Sequence, residues 1–492
     1  MRHTVVIDQS TSATKAMLFT ADAQLVHRVS VEHRQYYPQP GWVEHDPKEI
    51  LQNTYRAIRQ LVEQSRISVS AIESLALTNQ RETVVVWNKT TGNPVYNAVV
   101  WQCNRGASCC EQLIAQGKTK MIREKTGLII NPYFSASGIK WILDNIKEAT
   151  ECAENGNLLI GTMDSWLIWH LTDGRVHATD YTNASRTLLF NIHALDWDDE
   201  LLALFSVKRS MLPQVLPCDA IFGTTTAGGL LSEIPIAGVM GDSHGALTGQ
   251  CCFEPGMGKA TYGTGSSIMV NIGEKALSAP EGLVTSVGFA ALGKTVYAFE
   301  GNIHCTGATI QWLAEEVGLI TAAQESERLA TAISDNGGVY LVPAFAGLGA
   351  PWWDSEAKAL LCGMSRGTTK AHIVRAALES IAYQIKDLMD LIVESGIALK
   401  ALRVDGGPVK NRFLMQFQAD MLQTPIHRSP MEEASALGAV FMNGLALKKW
   451  HSLEEIAALR KNDSSVFPAM AAGERENLYA GWKKAVQRTL FK

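Results

Sequence analysis

The sequence lacks any apolar run long enough to cross a membrane. Across 492 residues, no such run approaches the ~20 residues that a transmembrane helix needs. The apolar residues that precede Asp8 are also too few for a secretory signal peptide. We therefore expect a cytoplasmic protein with no membrane insertion.

The chain also lacks the cysteine patterns of metal sites. Its nine cysteines are scattered, apart from adjacent pairs at 109–110 and 251–252, and none has the spacing of a zinc site. Scattered cysteines are typical of proteins from a reducing compartment, which again favours the cytoplasm.

Blocks of a single charge sign are absent as well. The 44 basic and 49 acidic residues give a formal net charge of −5, with no basic cluster, so we expect no nucleic-acid partner. The hydrophobic content of 46% is ordinary for a globular protein. A chain of 492 residues is too long for one core and indicates two domains, or three.

The first informative stretch is residues 4–19, where two apolar runs flank a polar turn. This pattern predicts a β-hairpin whose amides and hydroxyls suit an anion with many oxygens. Asp8 could hold a divalent cation there, and Lys15 could balance a phosphate. The alternative is that the polar side chains only satisfy the backbone of the turn. The hydroxyls belong to Ser10, Thr11, Ser12 and Thr14.

A similar pattern recurs at residues 259–271, around Thr264. Internal similarity of this kind predicts two related domains that face each other across a cleft. We place the boundary near residue 250, which gives domains at 1–250 and 251–492.

Asp242 ends an apolar run at residues 234–241 and precedes a helix of small residues. The simplest explanation is that Asp242 caps the helix. The functional alternative is a carboxylate at the carboxyl end of a strand, where ligands of open α/β sheets bind. Such a carboxylate can accept a proton from an attacking hydroxyl.

Two further sets of residues have both structural and functional explanations. Arg81 and Glu82 lie between two predicted strands and form either a surface turn or a polar rim that binds hydroxyls. Trp101, near the end of a strand predicted at residues 96–102, and Tyr133 are either core residues or a flat apolar contact for a sugar.

Glycines mark two places where a flat ligand could approach the backbone. Gly307 opens a predicted helix that contains Gln311, and Gly407 follows a predicted strand and precedes Asn411. These glycines do not have the spacing of a dinucleotide-binding fingerprint.

These segments belong to longer strings that resemble the FGGY carbohydrate kinases, and most closely the glycerol kinases among them. The resemblance covers nearly the whole chain and includes GWVEHDP, TNQRET, VWQC, DYTNASRTLLFNIHALDWDD, TYGTG, RVDGG, FLMQFQ and AGWKKAV. It implies an α/β fold with two actin-like (ribonuclease H-like, ASKHA) domains around a central nucleotide cleft.

The resemblance also implies roles for the residues singled out above, with ATP and Mg²⁺ as cofactors and a small polyol or sugar as substrate. Asp242 is implied as the general base and Asp8 as a magnesium ligand. The implied phosphate contacts are Thr11, Ser12, Lys15 and Thr264. The implied adenine-nucleotide contacts are Gly307, Gln311, Gly407 and Asn411. The implied polyol contacts are Arg81, Glu82, Trp101 and Tyr133.

The chain departs from the glycerol kinase pattern near the predicted acceptor. Ser243 stands where those kinases have glutamine, Ser267 where they have phenylalanine, and Ser10 where they have glycine. Gly138 replaces a signature lysine, and residues 229–233 lack the arginine of a loop that binds a sugar-bisphosphate regulator in some relatives. We therefore expect a larger, more polar pocket in which Ser243 and Ser267 bind extra hydroxyls of the substrate.

Two other functions remain as alternatives. An ATP-hydrolysing clamp of the same fold would need no polyol site, so Arg81, Glu82, Trp101 and Tyr133 count against it. A sugar sensor or pseudokinase would not need the retained Asp8, Asp242 and Thr264. The sequence leaves the oligomeric state open, including a homo-oligomer.

Overall fold

The structure is a computed structural model that describes residues 2–354, 356–429, 433–460 and 464–490. Its two largest sheets have six and seven strands and lie in the first and second halves of the chain. We call these halves the N-lobe and the C-lobe. No helix among the described residues combines the length and apolarity needed to cross a membrane.

The N-lobe contains the elements up to residue 249. Its strands are β1 His3–Gln9, β2 Ala13–Thr20, β3 Leu25–Glu32, β4 Glu44–His45, β5 Ile72–Asn79, β6 Val84–Asn88, β7 Ala98–Val99, β8 Leu158–Thr162, β9 Ala178–Asp180, β10 Phe190–Asn191, β11 Asp196–Trp197, β12 Gln214–Leu216, β13 Ile221–Thr225 and β14 Ile234–Gly241. Its helices are α1 Pro47–Ser65, α2 Ala107–Ala115, α3 Thr119–Thr126, α4 Ser135–Asn145, α5 Lys147–Glu154, α6 Met163–Leu171, α7 Tyr181–Ala184, α8 Asp199–Leu204 and α9 Asp242–Gly249.

The C-lobe contains the remaining elements. Its strands are β15 Met257–Tyr262, β16 Ser266–Gly273, β17 Val284–Ala291, β18 Lys294–Ile303, β19 Tyr340–Val342, β20 Leu360–Cys362, β21 Ala401–Gly406, β22 Ile426–Arg428 and β23 Ser464–Val466. Its helices are α10 Gly307–Glu315, α11 Glu325–Thr331, α12 Lys370–Glu394, α13 Arg412–Leu422, α14 Ala434–Ala446, α15 Leu453–Ala458 and α16 Ala472–Leu490.

The two large sheets share one strand pattern. The N-lobe has the order β3-β2-β1-β5-β14 and the C-lobe has β18-β16-β15-β21-β22, with further strands at the edges. In each lobe an antiparallel hairpin (β1–β2 or β15–β16) continues into parallel strands. The two predicted hairpins and their relationship are therefore confirmed.

β1 is buried on both faces, which explains its unbroken apolar run. Because side chains alternate along a strand, Val5 and Ile7 pack with residues of α1 and α6, whereas Val6 packs with residues of α14. A C-lobe helix thus completes the core of the N-lobe.

Glycines allow α14 to approach α9 and the N-lobe sheet closely. A Cβ atom on Gly438 would lie 2.0 Å from the carbonyl oxygen of Gly245, and one on Gly249 would lie 2.0 Å from that of Ala434. Asn443 of α14 also donates a hydrogen bond to the carbonyl oxygen of Ala237 in β14 (2.9 Å). These contacts fix the lobes relative to each other beside the start of α9.

Some local predictions were confirmed and others were wrong. Asp46 followed by Pro47 predicts the start of a helix, and this is confirmed, since Asp46 caps α1 and its carboxylate accepts from the amide of Lys48 (2.8 Å). Asp164 follows a predicted strand at residues 158–162 and is expected to cap a helix that ends at Leu171. In the structure Thr162 occupies the cap position of α6, and Asp164 instead accepts hydrogen bonds from Thr162 and Thr179. A buried helical carboxylate can thus imitate a cap in the sequence.

Other differences concern the lengths of elements. Only Ala98 and Val99 form a strand within the segment predicted as strand at residues 96–102, so Trp101 follows that strand. The pattern at residues 432–450 predicts a long helix, and the polar tail beyond it predicts further helix. α14 ends earlier, at Ala446, and the helical tail is confirmed by α15 and α16. Residue 432 lies outside the described residues.

Candidate active site

The candidate site lies at one edge of the N-lobe sheet, where three neighbouring strands end. Asp8 of β1 pairs with Thr78 of β5, and Gly241 of β14 pairs with Asn79. The carboxyl ends of these parallel strands therefore bring Asp8, the segment that begins at Gln80, and Asp242 to the same edge. Ligands of open α/β sheets bind at such an edge.

Asp242 is the first helical residue of α9, and Gly241 occupies the cap position. The helix-cap explanation for Asp242 is therefore wrong. Its side chain is 36% exposed and lies 3.2 Å from Nε of Arg81. One carboxylate oxygen accepts a hydrogen bond from the amide of Ser243 (2.6 Å). The carboxylate is thus oriented by protein groups while part of it stays open to solvent.

Arg81 and Glu82 are buried, so the surface-turn explanation is wrong. The two terminal guanidinium nitrogens of Arg81, Nη1 and Nη2, donate to the carboxylate of Glu300 in β18, at 2.9 and 2.8 Å. Arg186 lies 2.9 Å from the same carboxylate and donates to Glu82 (2.6 Å). The four side chains form a buried charge cluster in which three members come from the N-lobe and Glu300 comes from the C-lobe.

The cluster keeps Glu300 ionised despite its burial. Burial would raise the pKa of Glu300, but Arg186 and Arg81 outweigh that effect and hold the pKa far below its ordinary range. Burial raises the pKa of Glu82, while Arg81 and Arg186 oppose this rise. The result is a buried, charge-balanced cluster that contacts Asp242 through Nε of Arg81.

Trp101 and Tyr133 contact each other beside the first hairpin. Their rings pack edge to face with centroids 5.5 Å apart. The indole Nε1 of Trp101 also donates a hydrogen bond to the hydroxyl of Thr11 (3.0 Å). Both rings are partly buried, so an aromatic surface remains that directly adjoins the turn of the hairpin.

Asp8 and Lys15 form the charged part of the first hairpin. Lys15 lies 3.7 Å from Asp8 and donates to Glu433 (2.8 Å). Burial raises the pKa of Asp8 to about 7; Lys15 lowers this pKa, and Glu433 and Asp242 add to the rise. Ser12 is exposed in the turn.

These residues fit a magnesium site. Magnesium prefers oxygen ligands and is usually held by one or two carboxylates together with waters and phosphate oxygens. The carboxylate of Asp8 lies among other acids and is reluctant to ionise, so a nearby divalent cation would stabilise its charged form. In the described part of the chain no three potential ligands form a metal cluster by themselves, which is compatible with a cation completed by a nucleotide.

The second hairpin is attached to the start of α10. The amide of Gly307 donates to the carbonyl oxygen of Gly263 (2.9 Å), and the amide of Thr306 donates to that of Thr264 (2.9 Å). A Cβ atom on Gly307 would lie 2.6 Å from the oxygen of Gly263. Backbone packing alone therefore explains the glycine at 307, whether or not a ligand also approaches it.

The predicted nucleotide contacts gather around this point. Pro408 lies 3.8 Å from the Cβ position of Gly307, so the turn that starts at Gly407 adjoins the start of α10. A Cβ atom on Gly407 would meet nothing within 4 Å, which leaves this backbone open. Gln311 lies one turn along α10 from Gly307 and donates to Glu315 (2.9 Å). Asn411 caps α13 and accepts from the amide of Leu414.

Ser243 and Ser267 meet across the two lobes. The hydroxyl of Ser267 in β16 donates to that of Ser243 in α9, at 3.3 Å. Both side chains are partly exposed. The two positions that depart from the glycerol kinase pattern are therefore in direct contact beside Asp242.

Arg186 and Glu300 were missed by the sequence analysis. Arg186 ends a polar segment, residues 180–186, that no simple pattern explains. Glu300 is a single acid within the buried strand β18, and acids are almost never fully buried unless they are paired. That isolated acid is the signal that could have identified the residue.

Comparisons with known proteins identify the family of both halves of the chain. The model of the N-terminal domain of the FGGY family of carbohydrate kinases matches residues 3–249, and the model of its C-terminal domain matches residues 258–447. Glycerol kinase 2 of Thermotoga maritima is 51% identical over 491 residues, which cover 100% of this chain and 99% of that protein. Glycerol kinase of Shewanella woodyi is 49% identical, with 99% of each chain covered.

Solved structures give the same result for the fold. The crystal structure of Plasmodium falciparum glycerol kinase with ADP has a TM-score of 0.95 and 37% identity, and covers 100% of this chain and 99% of its own. A xylulose kinase from Lactobacillus acidophilus, 22% identical with a TM-score of 0.89, shares the fold over 99% of this chain and 97% of its own. The predicted fold of two actin-like lobes is thus confirmed, and the chain belongs to the FGGY family of carbohydrate kinases, which transfer phosphoryl groups to alcohols.

Proposed function

We propose that this kinase transfers the γ-phosphoryl group of ATP to a terminal hydroxyl of a polyol or ketose with more than three carbons. The observation that supports this substrate is the contact between Ser243 and Ser267, two small polar side chains where glycerol kinases have glutamine and phenylalanine. ATP with Mg²⁺ is the phosphoryl donor.

Asp242 acts as the general base in this proposal. Its partly exposed carboxylate accepts the proton of the attacking hydroxyl, while Arg81 and the amide of Ser243 hold it in one orientation. Trp101 and Tyr133 contact the carbon skeleton of the acceptor. Most of the rate enhancement in phosphoryl transfer comes from positioning and charge stabilisation, which this buried support provides.

The phosphates lie between the two hairpins in this proposal. Thr11, Ser12 and Lys15 contact them from the N-lobe and Thr264 from the C-lobe, while Asp8 holds Mg²⁺. When bound, Mg²⁺ neutralises phosphate charge. The backbone at Gly407 is open and lies next to the start of α10 and the second hairpin, which suits the nucleoside.

The size of the acceptor follows from the space at positions 243 and 267. Deleting a close apolar contact such as a phenylalanine side chain costs about 3–5 kcal/mol if the space stays empty. That corresponds to a loss of affinity of hundreds-fold or more. We infer that additional carbons and hydroxyls of the substrate fill this space.

Glycerol is the second candidate acceptor. Relatives named glycerol kinase are about half identical over essentially the full length, for example at 51%. The clamp and the pseudokinase find no support in these comparisons.

We further propose that the enzyme acts in the cytoplasm on a free small molecule, consistent with its scattered cysteines.

A substrate panel tests the choice of acceptor. We expect kcat/KM for the best four- to six-carbon polyol or ketose to exceed that for glycerol by at least about tenfold, the equivalent of 1.4 kcal/mol. ADP release would be measured with each acceptor and with none. The double variant Ser243→Gln/Ser267→Phe should shift the preference towards glycerol. If glycerol surpasses every larger acceptor with the unmodified enzyme, the proposed substrate class is wrong.

A further inference from the structure

Lys259 is a buried cation next to the site that the roles described above do not use. It lies in β15, is 1% exposed, and its ammonium donates to the hydroxyl of Ser267 at 3.0 Å. It also donates to the carbonyl oxygen of Ser267 (3.2 Å) and to the hydroxyl of Thr261 (3.4 Å). No ion pair joins it to a carboxylate within the described ranges. Burial of an ammonium is costly, and the groups that accept its hydrogen bonds here are neutral oxygens.

The ammonium is connected to the candidate base through two hydroxyls. The hydroxyl of Ser267 accepts from Lys259 and donates to the hydroxyl of Ser243 in the other lobe, with 3.3 Å between the two serine oxygens. The amide of Ser243 in turn donates to Asp242. The two serines are partly exposed, so their hydroxyls are open to a ligand that lies beside Asp242.

We propose that the partly exposed hydroxyls of Ser243 and Ser267, with that of Ser267 held in place by the buried ammonium of Lys259, form a subsite that binds a neutral oxygen, hydroxyl or carbonyl, on a carbon beyond the third carbon of the acceptor. The inference rests on the proposed function, which it deepens by naming the group that recognises the larger substrate. Serine at position 267 is essential to it, because a phenylalanine there would offer Lys259 no side-chain oxygen and would cover it.

The surrounding charges favour a neutral oxygen over a carboxylate. Lys259 lies in the fields of Asp405, Glu300 and Asp242 as well as Arg81. Burial lowers the pKa of Lys259 to about 8, so the side chain is still mostly cationic at neutral pH. An anionic substrate group at Ser243 would be repelled by the neighbouring carboxylate of Asp242. A hydroxyl or carbonyl would accept from the subsite without that repulsion.

Two variants test the subsite. Lys259→Met removes the ammonium at similar length, and Ser267→Ala removes its hydroxyl partner while keeping the lysine. A hydrogen bond to a charged group is worth about 1.5–3 kcal/mol, and in Lys259→Met the hydroxyl of Ser267 loses that bond and the orientation that it sets. We therefore expect KM for the best larger acceptor to rise about tenfold to hundredfold in Lys259→Met, with kcat changed less than about threefold. In the same variant, the factor by which KM for glycerol rises should be at least about fivefold smaller than the factor for the larger acceptor. Ser267→Ala removes the hydroxyl through which Lys259 acts and should show the same selective pattern, at least as strongly.

The control is Lys294→Met, which removes an exposed lysine that pairs with Glu274 on the surface. It should behave like the unmodified enzyme. If both site variants weaken glycerol and the larger acceptor equally, or act only on kcat, the subsite is refuted while the proposed function stands. If a sugar acid surpasses the neutral acceptor of equal length, the preference for a neutral oxygen is refuted. If the unmodified enzyme prefers glycerol, the proposed function fails first, and the subsite fails with it.

Discussion

Replacing Asp242 by asparagine is expected to reduce kcat about a thousandfold or more while ATP and ADP still bind. General-base catalysis typically contributes 10²–10⁴-fold, and the asparagine cannot accept the proton of the attacking hydroxyl. Its side-chain oxygen can still accept from the amide of Ser243, so the local structure should be retained. ADP release measures turnover, and calorimetric titration measures nucleotide affinity.

Asp144→Asn is a suitable control, because it changes an exposed carboxylate that pairs with Lys140 on α4. It should leave kcat and nucleotide affinity unchanged. Turnover of Asp242→Asn within a factor of ten of the unmodified enzyme would contradict the role of Asp242 as the base.

Replacing Glu300 by glutamine is expected to reduce kcat/KM for the acceptor about a hundredfold and to lower Tm by several degrees. Glu300 is the only member of the described charge cluster that comes from the C-lobe, and it contacts both Arg81 and Arg186. Removal of one partner from a buried ion pair costs about 3–5 kcal/mol, since the other charges stay buried and uncompensated. Arg81 would then lose the group that holds it beside Asp242.

A double-mutant cycle separates this role from a general loss of stability. Arg186→Gln combined with Glu300→Gln should cost clearly less than the sum of the single changes, because each residue compensates the other. Glu274→Gln, an exposed acid that pairs with Lys294, is the matched control and should have no effect. If Glu300→Gln has the kinetics of the unmodified enzyme, the contact of Glu300 with Arg81 is not needed for acceptor binding.

The features predicted correctly depend on local patterns. Both hairpins follow from apolar runs around polar turns, and the position of Asp242 directly after β14 follows from the apolar run before it. The role of Asp242 as the base stays a prediction. The burial of Arg81 was not predictable in this way, because its partner Glu300 is 219 positions away. Local sequence cannot distinguish a surface turn from a charge cluster whose other half comes from a different lobe.

Glycines and buried acids illustrate a second limit. Gly307 can be explained by a ligand or by packing, and the structure shows that the oxygen of Gly263 already requires the glycine. Asp164 resembles a helix cap in the sequence but is a buried acceptor for two threonines. The sequence around Lys259 gives no sign of a role for this lysine, and only the structure shows that its ammonium contacts Ser267. In each case, a contact that is distant in sequence decides the role.

The central claim is that a phosphoryl group held between the two hairpins is transferred to an alcohol oxygen activated by Asp242. Phosphorus NMR of a reaction with Mg²⁺, ATP and the best acceptor of the panel tests it most directly. We predict one equivalent of ADP for each phosphate monoester formed at a terminal carbon, and no ADP in the absence of acceptor. Release of inorganic phosphate as the only phosphorus product besides ADP would contradict the account.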